Sequence, residues 1–84
     1  MLISGKISPS YLAFVSGRAD WLSLSGWVTD LGSGHVEVVA AGPEALVGAL
    51  EMACILGPLD ALIDHVTTSA VTDAVPQGFS ICIQ

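Results

Sequence analysis

The chain has 84 residues, a formal net charge of -6 and only two cationic side chains, Lys6 and Arg18. Nucleic acids and anionic membrane surfaces are bound through clustered Lys and Arg, so neither is an expected partner. Hydrophobic residues make up 52% and charged residues 12%. That is material for one core, so a single domain over residues 1–84 is expected and chain-wide disorder is not.

Leu2 to Ile7 reads as a first strand, ended by Ser8-Pro9-Ser10. Proline cannot donate to a strand ladder but suits a first helical turn, and Ser8 suits a cap. From Ser10 to Leu22 the apolar positions Leu12, Val15, Ala19 and Leu22 recur at helical spacing. Gly17 weakens that helix by about 1 kcal/mol relative to alanine. Trp27 to Leu31 and His35 to Ala41 are rich in β-formers, and Gly32-Ser33-Gly34 between them supplies a hairpin turn.

Gly42-Pro43-Glu44 then breaks the strand and opens a second helix running to Leu56. Leu46, Leu50 and Ala53 share one face, with Val47 and Cys54 at its flank, and Gly57-Pro58 stops it. Ala61 to Ser69 is a fourth strand, with Leu62, Asp64 and Val66 on one side and Ile63, His65 and Thr67 on the other. A loop over Asp73 to Gly78, containing Pro76, leads to a last strand from Phe79 to Ile83.

No apolar run reaches the roughly 18 residues of a membrane span, and Met1 to Ser10 lacks the pattern of a secretion signal. Cys54 and Cys82 form no ligand cluster and read as reduced thiols, so a cytoplasmic location is expected. The order β-α-β-β-α-β, with right-handed crossovers, implies an α+β ferredoxin-like sandwich: an antiparallel sheet with both helices on one face.

Several stretches together resemble the acylphosphatase family. Gly5-Lys6-Ile7 is similar to the start of its phosphate-cradling strand, and Leu22-Ser23-Leu24-Ser25-Gly26-Trp27-Val28 to the entry of its second strand. Gly34 to Gly42 resembles the third strand, and Gly57-Pro58, Ala61, Asp64, Val66 and Gly78-Phe79-Ser80 fit the second half. The resemblance implies hydrolysis of the carboxyl-phosphate bond of acyl phosphates without a metal. It also implies a glycine-rich cradle of main-chain N–H groups, a phosphate-binding arginine at the start of the first helix, and a water-positioning asparagine after the Gly-Trp-Val strand.

The chain departs from that pattern at the chemistry. Between Gly5 and Trp27 it is one residue shorter, so the arginine slot falls on Leu12 or Ala13 according to the direction of counting. The asparagine slot holds Asp30. Neither Leu nor Ala replaces the bidentate bonds of a guanidinium, and losing one preorganised donor typically costs about 100- to 1000-fold in rate. A carboxylate about 4 Å from an anionic substrate repels it by roughly 4 kcal/mol at an effective dielectric near 20. Pro9 removes one cradle donor.

The expectation is therefore an acylphosphatase-like domain with a degenerate centre and no catalytic residues, acting as an interaction or small-anion-binding module. A weak or altered acyl-phosphate hydrolase is the alternative. Ser8, Ser10 and Tyr11 are candidates for holding phosphate or acyl phosphate at the helix N-terminus, though with the arginine missing an ordinary helix cap is the preferred reading. His35, His65 and Glu37 read as solvent-facing polar positions in preference to a weak metal site, so no metal or cofactor is expected. The uncovered sheet face, which carries Trp27, Thr29, Val39, Ile63 and Thr67 under one of the two ways each strand's alternation can fall, is a candidate surface for self-association or a protein partner.

Overall fold

The chain runs β1 (Leu2–Lys6), α1 (Tyr11–Trp21), β2 (Ser25–Gly32), β3 (His35–Ala41), α2 (Glu44–Leu56), β4 (Leu62–Thr67) and β5 (Phe79–Cys82). These elements come from a computed structural model that describes residues 1–8, 10–58, 61–68 and 77–82. The expected features at Pro9, Ser69, 73–76 and Ile83 lie outside the described residues. Among the described residues no helix is long and apolar enough to cross a membrane.

The strands form one sheet in the order β4-β1-β3-β2-β5. The first four pair antiparallel, as a ferredoxin-like sandwich requires, whereas β5 adds parallel to β2 and makes the sheet mixed. Both helices lie on the same face and touch each other. Ile3, Val28, Val36 and Val38 project from that face onto Tyr11, Val15 and Ala19 of α1 and Leu50 and Cys54 of α2, all buried. The buried stripe of α1 thus starts at Tyr11 and steps by four; Leu12 and Leu22 are half-buried at its margin.

In β4 the expected alternation fails. Ser4 of β1 pairs with His65 but the next residue, Gly5, pairs with Ile63, so one residue of β4 is left over. Such a bulge shifts the side-chain parity of everything beyond it. Ile63 therefore joins Val66 against the core rather than the uncovered face, and Leu62 is left 66% exposed. Of the other positions expected on that face, Thr29 and Val39 are buried, Trp27 is half-buried and Thr67 is exposed. The face offers less apolar surface than its composition implies.

Candidate functional site

Where β1 ends, the chain must turn into α1, and the hairpin turn between β2 and β3 is bonded to β1 just before that point. Gly5 donates its N–H to the carbonyl of Gly34 at 3.0 Å. Gly34 has φ +77, and a Cβ on it would stand 2.7 Å from the Gly5 carbonyl oxygen. Only glycine tolerates both the left-handed backbone and that approach. The contact ties the hairpin turn between β2 and β3 to the end of β1.

Within the loop, Ser8 accepts a hydrogen bond from the Tyr11 N–H at 3.0 Å, and Ser10 accepts one from the Phe14 N–H at 2.9 Å. The Ser8 and Ser10 hydroxyls are 3.1 Å apart and bonded to each other. Ser10 occupies the cap position of α1 without a side-chain capping bond. The serines thus shape the loop, while the positive end of the α1 dipole opens onto it.

Tyr11, the third anion candidate, is placed differently. Its ring is fully buried, and its hydroxyl donates to the carbonyl of Cys54 at 2.8 Å. Burial, with the Cys54 thiol beside it, raises the phenol's pKa far above its ordinary value. Burial also pushes the Cys54 thiol up to about 11. The Tyr11 side chain is a core pillar, and only its main-chain N–H meets the loop, at the Ser8 carbonyl. The signal available in the sequence was its four-residue spacing to Val15 and Ala19, which a polar hydroxyl obscured.

The two positions expected to share the arginine slot differ in setting: Leu12 is half-buried against the core and Ala13 is exposed. The backbone of Arg18 lies about 9 Å further along the helix axis than that of Leu12. Its guanidinium carbon lies 5.9 Å from the Phe14 ring centroid, within cation–π range. Lys6, exposed at the end of β1, is the cation that directly precedes the loop. Asp30 is exposed, and its Oδ1 accepts the Gly32 N–H at 2.8 Å. That bond fixes the carboxylate across the kink between Asp30 and Gly32, where the β2–β3 register shifts. An asparagine there would make the same bond through its amide oxygen and keep two N–H donors for a water.

Comparison with known proteins puts this arrangement in context. The acylphosphatase family model matches residues 1–81. An acylphosphatase of Rhodospirillum rubrum is 38% identical over 79 residues, which cover 93% of this chain and 87% of that protein. One from Marinobacter nauticus is 40% identical over 67 residues, covering 79% and 73%. The solved acylphosphatase of Bacillus subtilis superposes with a TM-score of 0.83 at 25% identity, over 96% of this chain and 92% of its own. That of Coxiella burnetii gives 0.78 at 25% identity, over 96% and 86%.

These relatives overturn the expectation of a non-catalytic module. That expectation let the side chains of two slots decide the function. A cradle of main-chain N–H groups is set by backbone path, and similarity to proteins named acylphosphatase extends along nearly the whole chain.

Proposed function

The chain belongs to the acylphosphatase family, and from that premise we propose that it hydrolyses the carboxyl-phosphate bond of acyl phosphates at the loop between β1 and α1. The observation that carries this reading is the 38% identity to an acylphosphatase across 93% of the chain. The phosphate group lies at the N-terminus of α1, held by main-chain N–H groups and the helix dipole, with the Ser8 and Ser10 hydroxyls at its edge. Lys6, at the mouth of the loop, offsets part of its charge. A water oxygen attacks phosphorus, the bond from phosphorus to the acyl oxygen breaks, and the carboxylate leaves with the electron pair. Asp30 accepts a hydrogen bond from the attacking water, whose proton ends on the phosphate product.

With leucine or alanine in place of arginine, transition-state binding falls mainly to the backbone, and a modest rate is expected. Hydrolysis of benzoyl phosphate, followed by loss of its ultraviolet absorbance, tests this. The expected result is turnover above the buffer rate that inorganic phosphate inhibits competitively. Hydrolysis at the buffer rate across a substrate titration overturns the proposal.

A further inference from the structure

The sheet face opposite the helices carries a groove of about 470 Å³, lined in part by Leu2, Ser4, Leu31, His35, His65 and Thr67. Ser4 of β1 pairs with His35 of β3 on one side and with His65 of β4 on the other. Residues directly opposite one another in a sheet project to the same face, so the three stand in one row across three strands. Strands about 4.8 Å apart put the two histidine backbones about 10 Å apart, with only the small Ser4 side chain between them. Two imidazoles leaning inward over a serine span that gap when an ion joins them at about 2.1 Å from each nitrogen. Both histidines are exposed, and neither ring has a hydrogen-bond or ion-pair partner among the described residues.

We propose that His35 and His65 together bind one divalent late transition-metal ion, of the zinc or nickel type. Neutral imidazole is the preferred side chain for such ions, and the net charge of -6 raises the local concentration of cations. No group of three or more His, Cys, Asp or Glu side chains suited to a metal is present among the described residues. Water therefore completes the coordination, and the ion exchanges readily. The row stands on the sheet face opposite the helices, beside the Gly5–Gly34 contact, and none of its three residues is given a role in the hydrolysis proposed above.

Isothermal titration of the metal-free full chain with Zn²⁺, and separately with Ni²⁺, tests the site. Wild type is expected to bind one ion. His35→Ala and His65→Ala are each expected to weaken binding by at least the roughly 10- to 100-fold typical of groups one shell further from a metal. Cys82→Ser, which removes the exposed thiol of β5, is expected to leave affinity unchanged. The proposal is overturned if wild type shows no saturable binding below about 1 mM. It is equally overturned if either histidine variant binds as wild type does, or if the loss follows Cys82 instead.

Discussion

Tyr11 and Leu12 are neighbours in the first turn of α1, yet they belong to two regions built on different physics. Tyr11 enters the core with its hydroxyl bonded to the Cys54 carbonyl, and no buried side-chain nitrogen or oxygen among the described residues lacks a hydrogen bond. There, side-chain shape and bonding decide the structure. Leu12 lies two residues past Ser10, in a stretch where main-chain bonds run from Tyr11 to the Ser8 carbonyl and from Phe14 to the Ser10 carbonyl, and where Gly5 of β1 is bonded to Gly34. In the loop a side chain can change while the path persists. If the hydrolysis proposed above holds, the core is expected to fail when a side chain is altered and the loop side to change its rate.

The sharpest way to break that contrast is on the core side. Tyr11→Ala removes a buried ring and leaves the Cys54 carbonyl without its donor, so urea unfolding is expected to show a loss of about 3–5 kcal/mol. A loss below about 1 kcal/mol would mean that the core does not rest on this residue.

On the loop side, the double variant Leu12→Arg/Asp30→Asn supplies a guanidinium for phosphate and an amide for water. Its kcat/KM on benzoyl phosphate is expected to rise about 100- to 1000-fold, with stability nearly unchanged. An unchanged rate would show that the backbone path, and not the side chains, limits catalysis. Gly34→Ala attacks the junction between the two regions. The added methyl meets the Gly5 carbonyl oxygen in a left-handed backbone, and a stability loss of about 1–3 kcal/mol is expected together with a lower rate.

Two solution conditions separate the regions more gently. In the core, the Cys54 thiol is raised from its ordinary 9.0 to about 11 by burial, so the folded state holds the proton more tightly than the unfolded one. Its contribution to stability is complete below about pH 9 and is lost as the pH rises toward about 11. Tyr11, shifted in the same direction, extends the decline. Thermal unfolding between pH 7 and 11 is expected to follow that course, and Cys54→Ala is expected to flatten its first part. At the loop, a dianionic substrate approaches a chain of net charge -6. Added salt screens that repulsion over about 10 Å at 0.1 M, so KM is expected to fall modestly between low and physiological ionic strength.

Much of the architecture was legible in the residues. The hairpin, the two helices and the β-α-β-β-α-β order follow from turn chemistry and hydrophobic period, which act over a few residues. The slots at Leu12 or Ala13 and at Asp30 rest on distance along the chain from Gly5 and Trp27, and they stay expectations that the variants above test. What those slots mean for activity was not legible. Two side chains do not report whether a backbone cradle is retained, and similarity along the whole chain reversed the first reading.

Tertiary structure alone decided the remainder. The burial of Tyr11 rests on a bond to a carbonyl 43 residues away, which no local pattern encodes. The face taken by Ile63 depends on a register shift between β1 and β4, and the parallel addition of β5 depends on which sheet edge stood unpaired. The row of His65, Ser4 and His35 likewise exists only once three separate strands are laid side by side. Periodicity is a property of neighbours in sequence, whereas register, burial and juxtaposition are settled when distant segments compete for the same contacts.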